Sequence, residues 1–397
     1  MNRVSKSIMG ALTLLLVWGC QEQKEAKDQW FYDAMKISVE QVKLAANHFK
    51  PGENPRSIES DGSVRLAGPK DWTCGFFPGT IWYAYEASQD IELKQKAAQF
   101  TESLDEVKNY THTHDLGFML YCSYGNGFRL TQNPSYKEVI MQGSKSLCSR
   151  FNSKVGAIRS WDFGEWQYPV IVDNMMNLEM LMWASNNGGD ASFKEISISH
   201  ANKTMANHFR DDYSSYHVLS YDTLTGKVIS KGTYQGYSDD SAWARGQGWG
   251  LYGYTYMYGQ TKDTKYLEQA RHIAKFIMTH PRMPKDKVAY WDFDAPNIPE
   301  APRDASAAAV IATALLDLSQ VVDNGDEYFN YAEDILKSLS TEKYLAKPGT
   351  NKLFVLKHSV GALPKDSEID VPINYADYYY LEAMIKYAHL KNMPLKK

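Results

Sequence analysis

The sequence predicts an all-α fold, an (α/α)6 toroid in which twelve helices form an inner and an outer ring. Helical periodicity recurs from about residue 28 onward, while the alternation typical of strands is scarce. The helical segments follow one another in six pairs, and each pair has one charged, amphipathic member and one member that is apolar, aromatic or small all round. Because a helix that is apolar all round must be buried on all sides, the second members are expected to form the inner ring.

The twelve predicted helices cover residues 30–49, 77–88, 92–108, 115–124, 135–151, 170–186, 191–209, 243–260, 263–280, 304–322, 327–342 and 375–392. The inner six are expected to be 77–88, 115–124, 170–186, 243–260, 304–322 and 375–392. One outer segment, YLEQARHIAKFIM (266–278), has a charged face. One inner segment, DASAAAVIATALLDLS (304–319), instead consists almost entirely of apolar or small residues. No internal linker interrupts the pattern, so residues 30–397 are predicted to form a single catalytic domain.

Composition and charge narrow the classes of function. Aromatic residues make up 13% of the chain, with 27 Tyr and 10 Trp. Their rings combine apolar area with a hydrogen-bonding group, which suits a sugar-binding surface as well as a packed helical core. A net charge of −4 creates no general attraction for nucleic acid, so any anionic ligand must be held by a local cation. The chain has no phosphate-cradling glycine loop, serine nucleophile elbow or HExxH motif, and we predict no cofactor or metal.

The N-terminus predicts export. Residues 1–20, MNRVSKSIMGALTLLLVWGC, are typical of a signal peptide, whose apolar run is too short for a stable membrane span. The ending VWGC is similar to a bacterial lipoprotein cleavage site, which would make Cys20 the lipidated first residue, followed by a polar tether at 21–29. This predicts a periplasmic or outer-membrane-associated lipoprotein. Cleavage at another point, giving a soluble secreted enzyme, is the alternative.

Three cysteines remain after such a cleavage, Cys74, Cys122 and Cys148. Their number is odd and their spacing does not fit a metal site. We therefore expect buried thiols rather than a disulfide framework.

Polar and aromatic residues gather at the starts of the predicted inner helices. They are Trp72, His114, Asp115, Asp173, Trp243, Arg245, Gln247, Arg303, Asp304 and Asp377. Inner helices of a toroid run in the same direction, so these starts are expected to converge on one mouth. An isolated Asp at a helix start is explained by capping or by the helix dipole, but Trp, His and Arg beside it are not.

Two acids are the candidates for chemistry at this mouth. Asp173 lies in the apolar run YPVIVDNMMNLEMLMWAS, where it either caps a helix or has a pKa raised by desolvation and suited to proton transfer. Asp115 stands beside His114, and two carboxyl groups facing one pocket are the general arrangement for glycoside chemistry. Asp239 and Asp240 are rival acids, although a loop turn or cap would also explain them, and Asp304 is interpreted first as a cap.

Arg245 needs a partner because it stands at the start of a buried helix. A structural carboxylate, Asp239 or Asp240, and a substrate carboxylate fit equally well, since the arginine fork binds either in a bidentate manner. His217, alone in a possible strand or loop, is more often structural than functional.

Five motifs together resemble a known family. In chain order, HDLGF, VDNMMNLEMLMWAS, YSDDSAWARGQGWGLYG, WDFDAP with RDASAAA, and YADYYYLEA are similar to the unsaturated glucuronyl hydrolases of glycoside hydrolase family 88. The resemblance covers roughly residues 30–392, and YSDDSAWARGQGW is its most specific part. Membership implies an α6/α6 barrel, which agrees with the independent count of twelve helices.

The resemblance also implies a reaction. Enzymes of this family act on lyase-made oligosaccharides, whose non-reducing uronic acid carries a C4=C5 double bond, and they remove that sugar by hydrating the vinyl ether. Matched by motif, Asp173 would protonate C4 and then activate the water that adds at C5. Asp115 would be the second essential acid, which supports the intermediate and binds ring hydroxyls.

The remaining site residues follow from the same matches. Those expected around the bound uronate are His114, His217, Gln235, Arg245, Trp249, Trp72 and Trp161, with Arg245 facing the carboxylate and Trp72 and Trp161 forming aromatic walls. The loop 343–374 is expected to form the +1 subsite, with Lys365 and Ser367 as candidates.

Three other functions compete with this interpretation. They are an unsaturated rhamnogalacturonyl hydrolase on the same barrel, an ordinary inverting glycosidase, and a lipid-anchored glycan-binding protein without turnover. The expected partner is in each case a carbohydrate, and contact with a membrane is expected only through the lipid anchor. The sequence does not define the oligomeric state or the parent polysaccharide.

Overall fold

The computed structural model describes residues 28–396. The predicted signal peptide, Cys20 and the tether as far as residue 27 lie outside this range. Within the described range, no helix is both long and apolar enough to cross a membrane. The last residue of the predicted tether, Gln29, is already helical and begins the first helix.

Twelve α-helices, α1 to α12, occupy the described residues. They are α1 (Gln29–His48), α2 (Phe76–Ser88), α3 (Ile91–Glu102), α4 (Asn126–Thr131), α5 (Pro134–Cys148), α6 (Asn174–Asn186), α7 (Ser192–Asn207), α8 (Ala244–Thr261), α9 (Thr264–Thr279), α10 (Ala305–Ser319), α11 (Gly325–Leu339) and α12 (Asn374–Leu390). A π-helix, Gly117–Gly125, runs directly into α4.

Six helical elements close into an inner ring. They are α2, the π-helix that runs into α4, α6, α8, α10 and α12. α2 packs on the π-helix, the π-helix on α6, α6 on α8, α8 on α10, α10 on α12, and α12 returns to α2. Odd-numbered helices pack outside them, such as α9 against α8 and α11 against α10. The predicted (α/α)6 toroid with its two rings is therefore confirmed.

The two rings differ in burial as their sequences require. Fourteen of the residues of α10 are buried, from Ala305 to Ser319 with Asp317 as the exception, because small Ala side chains allow close approach on every side. α9 instead buries only one stripe, which includes Tyr266, Ile273 and Ile277, and exposes its charged face. The three described cysteines are free thiols, with Cys74 and Cys122 buried and Cys148 half-buried.

Short strands connect the helices at one end of the toroid. They form four small antiparallel sheets from β1 (Asn54–Ile58), β2 (Val64–Ala67), β3 (Phe151–Asn152), β4 (Ala157–Ile158), β5 (Pro169–Ile171), β6 (Val218–Tyr221), β7 (Val228–Gly232), β8 (Ser359–Ala362) and β9 (Ser367–Val371). The prediction of helix from residue 170 was wrong at its start, since Val170 and Ile171 pair with β6. Their β-branched side chains favour the extended strand.

The second predicted inner helix is also altered. Residues 117–125 form a π-helix rather than an α-helix. Gly117 lies so close to Asn177 of α6 that a Cβ would come within 2.6 Å of the Asn177 Cα. The side chain of Asn177 accepts a 2.9 Å hydrogen bond from the Phe118 N–H, so the irregular turn is held against its neighbour in the ring.

Candidate active site

A cavity of about 440 Å³ opens at the end of the toroid where the inner helices begin. The predicted site residues that line it are Asp173, Asp115, His114, Gln235, Trp72 and Trp161. The predicted +1 candidates Lys365 and Ser367 line it as well, from the turn between β8 and β9. Of the predicted helix starts, those at Trp72, Asp115 and Asp173 reach this cavity. The cavity lining does not include the other predicted residues of this group, namely Trp243, Arg245, Gln247, Arg303, Asp304 and Asp377.

Asp173 immediately precedes α6. Its backbone already has helical angles, and its side chain makes no capping hydrogen bond. The side chain is buried, and Oδ2 has no hydrogen-bond partner among the described residues. Burial raises the pKa of this carboxyl to about 7. The side chain is therefore free of the capping role and holds its proton near neutral pH.

His217 lies beside Asp173 just before β6. Its Nε2 is 3.6 Å from the Asp173 Oδ2. Its Nδ1 accepts hydrogen bonds from the backbone N–H groups of Tyr234, at 2.9 Å, and Gln235, at 3.1 Å. A ring nitrogen that accepts hydrogen bonds carries no proton, so the proton of the neutral ring is on Nε2. Burial lowers the pKa of His217, so the neutral form persists and an N–H group faces Asp173.

Asp115 has the opposite electrostatic setting. Its Oδ1 lies 3.1 Å from the His114 Nε2, and its Oδ2 accepts a 2.7 Å hydrogen bond from the Thr113 hydroxyl. Although burial opposes ionisation, His114 and these hydrogen bonds hold the pKa of Asp115 below its ordinary value. One cavity therefore contains a carboxyl that keeps its proton and a carboxyl that loses it. When the environments of two carboxyl groups in one site move their pKa values apart, the group with the higher pKa is the candidate proton donor and the other acts as the carboxylate.

Arg245 lies behind the cavity wall. It is completely buried, and its Nη1 is 2.8 Å from Asp304. Its Nη2 donates a 2.7 Å hydrogen bond to the carbonyl of Gly361, a residue that lines the cavity. The partner is thus neither Asp239 nor Asp240. Asp304 also accepts from the Ser306 N–H as the cap of α10, as interpreted from the sequence.

Trp249 is likewise placed beneath the cavity rather than on its surface. Its ring is completely buried. It packs against Phe118 and Tyr379, with centroids 5.2 and 5.3 Å away. Gln235 and Arg245 both contact the hairpin formed by β8 and β9. The Nε2 of Gln235 donates a 3.1 Å hydrogen bond to the Gly361 carbonyl, the same carbonyl that Arg245 binds.

Several lining residues were not predicted from the sequence. They are Arg56, Lys70, Asp71, Tyr110, His112, Phe163, Tyr234, Glu368 and Tyr375, among others. Arg56 grips Glu368 through two hydrogen bonds of 2.7 and 2.9 Å and binds Asp71 at 2.8 Å. Phe163 stacks on Trp161, with centroids 4.9 Å apart. The WDFGEW segment, rich in aromatic residues, is the one signal that could have indicated Phe163.

The cavity of this (α/α)6 toroid combines two carboxyl groups of opposite protonation with aromatic walls. This arrangement is typical of a carbohydrate-active hydrolase. Among the described residues, no group of three or more His, Cys, Asp or Glu side chains is arranged to hold a metal ion.

Comparisons with known proteins specify the class. The chain is 46% identical over 345 residues to an unsaturated glucuronyl hydrolase of Formosa agariphila, which covers 86% of this chain and 85% of the relative. It is 31% identical to an unsaturated chondroitin disaccharide hydrolase of Streptococcus pyogenes, covering 89% and 90% of the two chains. A solved unsaturated glucuronyl hydrolase specific for heparin superposes with a TM-score of 0.92 at 59% identity, over 93% of this chain and all of the other. No family model matches the chain.

The chain belongs to the unsaturated glucuronyl hydrolases, glycoside hydrolase family 88. It is a hydrolase that removes the 4,5-unsaturated uronic acid from the non-reducing end of lyase-generated oligosaccharides. The predicted family, fold and activity are confirmed, and the ordinary inverting glycosidase and the binding protein without turnover are not supported.

Proposed function

We propose that Asp173 is both the acid and the base in this hydrolysis, and that heparin-derived oligosaccharides are its substrates. The observation that carries the catalytic assignment is the unpaired Oδ2 of Asp173 in the cavity, on a carboxyl whose pKa is raised to about 7. A carboxylic acid that is protonated near neutral pH can give its proton to a weak carbon base and then take one from water.

The reaction proceeds in balanced proton transfers. Asp173 donates its proton to C4, the C4=C5 electron pair forms the new C–H bond, and positive charge develops on C5 and the ring oxygen. The ionised Asp115 stabilises this oxocarbenium-like cation. Water adds to C5 and returns a proton to Asp173. The hemiketal at C5 opens to a ketone, and the hemiacetal left at C1 releases the shortened oligosaccharide.

His217 positions and stabilises the catalytic carboxyl. When Asp173 has given up its proton, the Nε2–H of His217, at 3.6 Å, faces the new carboxylate and can donate to it. The hydrogen bonds from the Tyr234 and Gln235 N–H groups to Nδ1 keep that donor on the correct side of the ring.

The conjugated double bond supplies a direct test of this mechanism. Addition across this bond destroys its ultraviolet absorbance, and in water containing methanol it should also place a methoxy group at C5. Attack at the anomeric carbon would instead give the methyl glycoside of the uronic acid, which keeps the double bond and its absorbance because a glycoside cannot open to the keto form. A methyl group on the C1 oxygen would contradict the proposal.

The choice of heparin fragments rests on similarity and on charge. The relative specific for heparin is 59% identical to this chain, whereas the chondroitin-named relative is 31% identical. Lys70 and Lys365 line the cavity, and neither has a carboxylate partner among the described residues. Unpaired ammonium groups at the mouth suit the sulfate groups of such fragments.

A panel of unsaturated disaccharides from heparin, chondroitin and rhamnogalacturonan tests the substrate. We expect the highest kcat/KM for a heparin disaccharide. Lys365→Ala should raise KM for sulfated members and spare unsulfated ones, with the exposed Lys347→Ala as the matched control. A preference for chondroitin or rhamnogalacturonan fragments would refute this substrate and leave the catalytic proposal intact.

We further propose that the protein is an exported lipoprotein anchored through Cys20. The signal-like residues 1–20 and the polar segment after them support this location. Labelled palmitate should enter the wild-type protein in a bacterial host and be absent from Cys20→Ala. Labelling of both proteins, or of neither, would contradict the anchor.

A further inference from the structure

A second cavity, of about 520 Å³, lies at the opposite end of the toroid from the active site. It is lined by residues from the middle and the C-terminal parts of inner helices, such as Glu86 in α2, Glu179 and Trp183 in α6, and Glu382 in α12. Active-site residues such as Asp173 instead precede the first turns. The two cavities therefore open at opposite ends of the same helices.

A column of aromatic rings separates the two cavities. From the active site inward it runs Trp72, Phe118, Trp249, Tyr379 and Tyr378, with successive centroids 5.6, 5.2, 5.3 and 4.9 Å apart. The first ring lines the active site and the last lines the second cavity. The second cavity is thus not an extension of the first.

Two carboxyl groups in this cavity have unused hydrogen-bonding capacity. The side chain of Glu382 is largely buried, and its Oε1 accepts from the Tyr252 hydroxyl at 2.6 Å and lies 3.1 Å from Lys386. Its Oε2 is buried without a partner in the described part of the chain. Glu179 also lines the cavity, and its carboxyl has no polar partner there. Burial and the charge of Glu382 raise the pKa of Glu179 to about 8.

The cations already present are committed to other carboxylates. Arg129 forms two hydrogen bonds with Glu86, of 2.8 and 2.6 Å. Lys386 lies 2.7 Å from Asp317, closer than it lies to Glu382. Lys386 is thus shared between Asp317 and Oε1 of Glu382. Among the described residues, neither cation forms a salt bridge with Glu179 or a hydrogen bond with Oε2 of Glu382.

The remaining wall is aromatic. Trp183 packs between Tyr121 and Phe128, with centroids 5.9 and 5.3 Å away, and all three residues line the cavity. Aromatic faces attract weakly hydrated organic cations, and apolar edges accommodate carbon chains. A site that combines carboxylates with aromatic rings is therefore suited to an organic ammonium ion.

We propose that this cavity binds an organic ammonium ion, held by the carboxylates of Glu179 and Glu382 and packed against Trp183. The ammonium replaces the proton that Glu179 carries when the cavity is empty, and it satisfies Oε2 of Glu382. Two sources share this chemistry, namely an aliphatic polyamine and an amino sugar with an unacetylated amine. The site is independent of the catalytic assignment above.

Calorimetric titration of the full-length protein with putrescine and with glucosamine tests the proposal. We expect at least one to bind, with 1,4-butanediol and N-acetylglucosamine as neutral controls that do not. Glu179→Gln should weaken binding at least about tenfold, because a charge-assisted hydrogen bond is lost. Glu300→Gln, at an exposed loop position, is the matched control and should bind as wild type does.

The possible results distinguish the two kinds of ligand and show whether the second cavity is the binding site. Putrescine binding indicates a polyamine and glucosamine binding an amino sugar, and either supports the proposal if Glu179→Gln weakens it. Failure of both amines to bind, or equal binding to Glu179→Gln, overturns it. Unchanged hydrolysis by Glu179→Gln will show that this variant is folded. If it does not fold, Trp183→Leu should weaken binding in its place, and unaltered affinity in that variant would overturn the proposal.

Discussion

The Nε2 atom of His217 lies 3.6 Å from Oδ2 of Asp173, and both side chains are buried at the base of the active-site cavity. Two backbone N–H groups occupy the other ring nitrogen of the histidine. The histidine therefore presents a proton to a buried carboxyl oxygen that accepts no hydrogen bond from the described residues. This relationship places a neutral donor beside the proposed catalytic acid.

Replacing Asp173 by Asn should lower kcat at least about 10²-fold, because the amide cannot donate or accept the transferred proton. The fold should persist, since the Asp173 side chain makes no capping bond. Initial rates from the loss of ultraviolet absorbance and a thermal melt measure the two effects. Near-normal kcat in this variant would refute the assignment.

The pH profile of kcat/KM should have a wide plateau. Asp173 must be protonated to donate, so the rate should fall as pH rises through its raised pKa of about 7. Asp115 must be ionised, and its lowered pKa places the acidic limb below its ordinary value of 3.8. Rates with an N-acetylated, unsulfated disaccharide report the alkaline limb, because the one carboxylate of this substrate stays ionised at neutral and alkaline pH. A profile that stays flat across about pH 6 to 9 would contradict the role of Asp173.

His217→Phe keeps an aromatic ring but removes the donor to Asp173. We expect kcat to fall about tenfold or more, because the N–H group that faces the carboxylate formed on Asp173 is lost. The alkaline limb should move to higher pH, because the carboxylate of Asp173 is less stabilised and its pKa rises. His217→Gln, which retains a donor and an acceptor, should recover part of both effects. If the alkaline limb of the pH profile did not move, His217 would have only a packing role.

Arg245→Met should destabilise the protein by roughly 3–5 kcal/mol, because it leaves the completely buried Asp304 without its ionic partner. Urea unfolding measures this change. The double variant Arg245→Met with Asp304→Asn should lose less than the two single variants together, since Asn retains the cap and carries no charge. A rise in KM with unchanged stability would instead indicate that Arg245 reaches the substrate.

The sequence predicted the twelve helices and their two rings because burial on all sides leaves a clear pattern in segments such as residues 305–319. It also indicated the cavity, since Asp115 and Asp173 stand at helix starts that the ring geometry brings together. Val170 and Ile171 misled the helix prediction, because an apolar run fits a short strand and a buried helix alike.

Ion pairs between residues far apart in the chain could not be predicted from the sequence. Arg245 binds Asp304, 59 residues away, although Asp239 and Asp240 are much closer in sequence. Arg56 and Glu368 are 312 residues apart and meet at the cavity wall. No spacing in the sequence indicates which distant elements will pack together, so only the tertiary structure shows which carboxylate each arginine contacts.

The column of rings beneath the active site closes its cavity on the inner side, so this cavity is a well with one opening rather than a tunnel through the toroid. The terminal sugar enters first, and the rest of the oligosaccharide stays nearer the mouth. After bond cleavage, the shortened oligosaccharide lies between the keto-uronic acid and solvent. The two products must therefore leave in a fixed order, with the oligosaccharide first, and the free uronic acid alone should compete with incoming substrate.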